Sequence, residues 1–122
     1  MPDPRHILGQ RGEDAVARWL AAQGWQVLAR RWRGAAGGEL DLVCVDPRGC
    51  LVAVEVKLRR TPRAGSALEA LGRRRVARLR QGLAAYAATT PRGWLGLRVD
   101  LVSVEPDGPG WRLRRHAGID AW

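Results

Sequence analysis

Two apolar runs, Leu40 to Asp46 and Leu51 to Arg59, stand either side of Asp46-Pro47-Arg48-Gly49-Cys50. Runs of this length, rich in valine and leucine and separated by proline and glycine, read as two strands of a hairpin. A three-residue loop, Pro47 to Gly49, is a common hairpin length, with Gly49 in the left-handed position. That loop pairs Asp46 with Cys50 and, counting back, Asp41 with Glu55. Side chains alternate along a strand. Asp41, Val43 and Val45 therefore share a face with Leu51, Ala53, Glu55 and Lys57. Leu40, Leu42, Cys44, Val52, Val54, Val56 and Leu58 fall on the other face and read as core.

Two carboxylates across a ladder repel each other. A divalent cation offsets that repulsion, and hard oxygen ligands suit Mg²⁺ or Mn²⁺. Lys57, one step along the same face, can orient a water or stabilise negative charge on phosphorus. The competing reading is a Glu–Lys surface pair on an edge strand. Lys57 is the only lysine among 21 basic residues, the other 20 being arginine. A solvated basic position in such a chain would be arginine. The lone lysine marks a place that needs a compact ammonium.

The remaining chain reads as a frame for this hairpin. Residues 6 to 23 form a helix with an apolar stripe of Leu8, Ala15, Val16, Trp19, Leu20 and Ala22. Gly9 and Gly12 lie in the stripe and would let the helix approach a sheet closely. Gly24 stops it. Trp25 to Arg33 is a first strand, and Gly34 to Gly38 a loop. After a basic loop from Arg60, Ser66-Ala67-Leu68-Glu69 matches a capping box. A second helix runs from there to about Ala88, burying Leu68, Leu71, Val76, Leu79, Leu83 and Tyr86. Leu95 to Glu105 and Trp111 to Arg115 are two more strands, joined at Asp107-Gly108-Pro109-Gly110. The order α-β-β-β-α-β-β predicts an α/β chain, a mixed β-sheet flanked by two helices, in a single domain over residues 1–122.

A net charge of +9 favours a polyanionic partner, of which nucleic acid is the commonest. An organism-wide arginine habit would give the same excess. No apolar run reaches the roughly 18 residues needed to cross a membrane, and no signal-peptide core is present. The expected location is the cytoplasm, with no membrane partner. Cys44 and Cys50 are too few for a structural zinc site and read as ordinary thiols.

Gly38-Glu39-Leu40-Asp41 and Val54-Glu55-Val56-Lys57, with 13 residues between Asp41 and Glu55, resemble the D-x(n)-E-x-K signature of the PD-(D/E)xK nuclease superfamily. The whole chain resembles the YraN-like family of bacterial proteins. The likeness includes Gly12-Glu13-Asp14-Ala15-Val16-Ala17, Gly24-Trp25, Tyr86, Arg98-Val99-Asp100 and Ile119-Asp120-Ala121-Trp122. Val16 departs from it, since relatives have alanine there. The resemblance implies a restriction-endonuclease-like fold, similar to archaeal Holliday-junction resolvases. It implies Asp41, Glu55 and the Val56 carbonyl as metal ligands and Lys57 as the catalytic lysine. Glu13 matches a helix-one glutamate that reaches the metal site in related resolvases; a rim charge facing solvent is the alternative.

Other residues bear on the same site. Glu39 is a further acid beside the metal ligands or a loop-end charge. Arg75, inside the apolar stripe of the second helix, would bind a phosphate or the site carboxylates. Arg59, Arg60 and Arg63 follow the catalytic strand and would contact a phosphate backbone, or form a solvated loop. Asp100 and Arg98 share a strand face and read as an ion pair. Trp19 and Trp25 read as core. Trp32 and Trp94 are candidates for stacking on bases.

The sequence thus predicts a metal-dependent nuclease acting on DNA, branched or junction DNA included. The alternatives are a non-catalytic nucleic-acid-binding protein and a nuclease subunit that needs a partner. Cutting two strands symmetrically would require two sites, which a homodimer would supply.

Overall fold

The hairpin turn is built by Asp46 itself. Its Oδ1 accepts the backbone N–H groups of Arg48 and Cys50, both at 3.0 Å. Its backbone N–H donates to the Cys50 carbonyl, and Gly49 takes φ +97°. A short acid that bonds its own turn suits this position. The computed structural model describes residues 4–35, 37–59 and 67–121. Its elements are α1 (Pro4–Ala22), β1 (Gln26–Arg33), β2 (Glu39–Val45), β3 (Leu51–Leu58), α2 (Ala67–Leu71), α3 (Arg73–Thr89), β4 (Leu97–Asp107) and β5 (Gly110–His116).

The five strands lie in sequence order in one sheet. β3 and β4 run parallel, and every other neighbouring pair is antiparallel. Parallel neighbours need a long crossover, and α2 and α3 lie in the segment that makes it. The mixed α/β layout is as predicted, with one difference in the helices. The single second helix is broken at Gly72, whose φ of +76° no L-residue adopts easily, into α2 and α3. The predicted capping serine, Ser66, lies outside the described residues.

Helices cover both faces of the sheet. Under α1, Val16, Ala17 and Leu20 pack on Leu42, Cys44, Val52, Val54, Val102 and Val104. Under α3, Leu79, Leu83 and Tyr86 pack on Leu40, Val43, Leu51, Ala53 and Val99. Each fully buried leucine contributes roughly 2–3 kcal/mol of burial. Trp25 is buried as expected and Trp19 packs partly buried against the same cluster. Ala22, assigned to the apolar stripe, is exposed, and Ala17 is buried in its place. Gly12 is not required for close approach. A Cβ there would lie 3.8 Å from Val104, an ordinary contact, and at Gly9 it would meet nothing within 4 Å.

Leu40 corrects the strand alternation. It belongs with the α3 cluster, opposite Leu42 and Cys44, with which simple alternation grouped it. The neighbouring strand shows why. Arg30 pairs with Leu42 and Trp32 with Leu40, and Arg31 between them has φ +48°. A left-handed residue turns the strand over. Arg30 reaches Asp14 on α1, while Trp32 packs edge-on against Tyr86 on α3, ring centres 5.3 Å apart.

Candidate metal and phosphodiester site

β2 and β3 pair from Val45–Leu51 to Leu42–Val54, and the ladder stops there. Its offset is the one that sets Asp41 opposite Glu55. Past Leu42 a side chain replaces the backbone partner, as the Val56 N–H donates to Asp41 Oδ2 at 2.9 Å. The site therefore sits where two strands part.

Glu55 is almost fully buried. Its Oε2 accepts from Arg75 Nε at 2.9 Å, and Arg75 also donates to the Glu39 carbonyl at 3.4 Å. Its other oxygen, Oε1, is buried with no hydrogen-bond partner among the described residues. Burial, and then contact with the Asp41 carboxyl and its charge, pushes the Glu55 carboxyl up to about 8, against the pull of Arg75. Each acid is thus anchored through one oxygen, Asp41 by a backbone amide and Glu55 by a guanidinium. Anchored carboxylates of this kind are how proteins orient metal ligands.

Glu13 stands on the α1 side of the same region. A cavity of about 420 Å³ brings it together with Glu39, Asp41, Val56 and Arg31. Its carboxyl is raised by burial and then by Asp41, while Arg31, 3.5 Å away, opposes the shift. Among the described residues no three His, Cys, Asp or Glu side chains gather closely enough to hold a metal ion between them. Asp41 and Glu55 are therefore two adjacent carboxyls without a third side-chain ligand of these types among the described residues. Glu39 pairs with Arg33 at 3.3 Å and adds negative charge near Glu13.

Lys57 follows Glu55 on the α3 face by strand alternation, and is half-buried beside Ser103 of β4 in register. Arg75 meets the site carboxylates through Glu55, one of the two roles open to it. Arg59 closes β3 with a backbone bond to Val104 at 2.8 Å. Arg60 and Arg63 lie outside the described residues. Trp32 and Trp94 are partly buried against the α3 cluster.

A second polar centre lies on β4, where Asp100 pairs in register with Val54. Asp100 is fully buried and accepts from Arg98 at 2.7 and 3.1 Å, from Arg115 at 2.9 Å and from the Gly118 N–H at 2.9 Å. Arg98 continues to Asp46, and both guanidinia lie over the Trp25 ring. Every oxygen is satisfied, so this is a structural network that ties the hairpin turn to β4 and β5. Asp120 does the same for the C-terminal segment, accepting from the Val99 N–H at 3.0 Å and from Arg80 at 2.8 Å. Cys44 and Cys50 are free thiols, and burial, then Asp100, pushes Cys44 up to about 12.

The pairing of Arg31 with Glu13 was not legible in the sequence, because nothing in Arg30-Arg31-Trp32 marks the left-handed residue. Among the described residues no helix is long and apolar enough to cross a membrane.

The family described as "Uncharacterised protein family UPF0102" matches residues 12–104, a span that holds Glu13, Asp41, Glu55, Lys57, Arg75 and Asp100. A UPF0102 protein of Frankia casuarinae is 44% identical over 87% of this chain and 88% of its own. One from Kineococcus radiotolerans is 43% identical over 94% of each. One from Bordetella avium is 38% identical over 90% of this chain and 74% of its own. With its motifs and its length matched in this way, the chain belongs to the UPF0102, or YraN-like, family.

Proposed function

We infer that the protein is a metal-dependent phosphodiesterase acting on DNA. The observation that carries the reading is the Asp41–Glu55 pair: two carboxyls in contact, each anchored by one oxygen, with Glu55 Oε1 buried and without a hydrogen-bond partner among the described residues. Such a pair needs a proton or a cation. Oxygen donors of this kind fit Mg²⁺ or Mn²⁺. Asp41, Glu55 and the Val56 carbonyl would hold the ion, which would supply Lewis-acid polarisation of a phosphodiester. Lys57 lies one strand step from Glu55, where its ammonium can stabilise negative charge on phosphate oxygens or orient the attacking water. Arg75 holds the Glu55 carboxylate in place.

The purified protein is expected to cleave nicked or branched DNA with Mg²⁺ or Mn²⁺, and Lys57→Ala to abolish cleavage. Cleavage that survives this substitution sinks the mechanism. The Arg75–Glu55 ion pair favours one second reading. In it the guanidinium takes the cation's place, and the protein binds DNA without cutting. Metal titration separates the two: the binding protein shows no Mn²⁺ affinity that depends on Asp41.

A further inference from the structure

On the α3 face, beside the carboxylate pair, a cleft of about 380 Å³ opens between the β1–β2 turn and α3. Trp32, Gly37 and Gly38 form one wall, and Arg75, Arg78 and Gln81 the other. Among the described residues no acidic side chain lines it. Arg75 belongs to both places: from the cleft wall it reaches Glu55 Oε2 and the Glu39 carbonyl. Whatever occupies the cleft therefore lies one side chain away from the proposed reaction centre.

The charges around the cleft are unequal. Arg75, on the cleft wall, is matched by Glu55, and Arg33, at the end of β1, by Glu39. Arg78 is exposed and has no ion pair among the described residues. It leaves a positive charge facing a concave surface, the arrangement that concentrates anions. The opposite wall is in part bare backbone. Gly37 and Gly38 have φ of +82° and +75°, and a Cβ on either would meet nothing within 4 Å. Glycines that expose backbone into a concavity allow a phosphate to come close. The partly buried Trp32 ring, edge-on to Tyr86, adds an apolar surface of the kind a sugar or base can rest against.

We propose that this cleft is a second phosphate subsite, which holds a phosphodiester of the DNA strand neighbouring the one at Asp41 and Glu55, with Arg78 as its charge partner. The proposal rests on the reading that the protein acts on DNA. Arg75, shared between cleft and carboxylate pair, would set the spacing between the two phosphodiesters.

The test is binding of a fluorescein-labelled nicked DNA duplex to the full chain in EDTA, followed by anisotropy over a range of salt. Arg78→Ala is expected to weaken binding about 5- to 20-fold and to lower the salt slope by about one. Arg78→Lys should keep most of the affinity. Arg18→Ala, which removes an exposed arginine of α1, should stay within about twofold of wild type. Circular dichroism melts should be unchanged for all three. Equal binding by the Arg78→Ala and Arg18→Ala proteins overturns the proposal, as does failure of the wild type to bind. Cleavage with Mg²⁺ is scored separately. Binding that depends on Arg78 without any cleavage leaves the subsite standing and removes the nuclease reading. Cleavage that depends on Lys57, with binding indifferent to Arg78, does the reverse.

Discussion

Replacing Glu55 by glutamine tests the physical core of the site without any assumption about substrate. Below about pH 4.5 the Glu55 carboxyl is protonated in both the folded and the unfolded chain. Between there and about 8 the folded chain holds a proton that the unfolded chain has released. Stability therefore falls as pH rises through that window and levels off above it. Converted at about 1.4 kcal/mol per pH unit, the whole shift sets a ceiling of roughly 5 kcal/mol. Local relaxation around the buried carboxyl lowers the cost, so about 2 kcal/mol is the expected effect. Glutamine is neutral throughout and can still accept from Arg75 through its amide oxygen. In EDTA, the Glu55→Gln protein should melt close to wild type at about pH 5. It should melt about 8 °C above wild type at about pH 8.5, taking roughly 4 °C per kcal/mol for a chain of this size. Titrating groups remote from Glu55 cancel in the difference between the two proteins. Millimolar Mn²⁺ should raise the wild-type melting temperature at the higher pH and leave the variant unmoved. A gap between the two proteins that stays constant with pH would refute the reasoning.

Three further outcomes concern the frame. Asp100→Ala strands the Arg98 and Arg115 guanidinia and should cost about 3 kcal/mol in urea unfolding, the low end for a buried pair, because the two arginine side chains are 27% and 34% exposed. Gly12→Ala adds a methyl group in ordinary contact with Val104 and raises helix propensity. It should stabilise by about 1 kcal/mol, and a lower melting temperature would contradict the packing of α1. Asp120→Ala removes the acceptor for Val99 and the partner of Arg80. It should cost about 1–3 kcal/mol and speed hydrogen exchange at the Val99 amide.

Local chemistry carries some features of this protein on its face. A proline, a left-handed glycine and a self-bonding aspartate allow one hairpin turn, and that turn alone sets the offset between β2 and β3. The offset brings Asp41, Glu55 and Lys57 to one end of the hairpin before any other part of the chain is considered. The stripe of Val76, Leu79, Leu83 and Tyr86 likewise follows from helical spacing. Other features depend on partners distant in sequence. Leu40 breaks the alternation because the left-handed Arg31, on another strand, turns β1 over beside it. Arg75 selects Glu55 only once α3 is laid across the sheet. Arg78 faces Gly37 and Gly38 across a cleft only once α3 is laid beside the β1–β2 segment. A hairpin register is a short-range consequence of backbone geometry, so the sequence by itself determined which residues could form the site. Burial and charge matching are sums over the whole packed chain, so only the tertiary structure decided which carboxylate oxygens are held and which, among the described residues, are left without a hydrogen-bond partner.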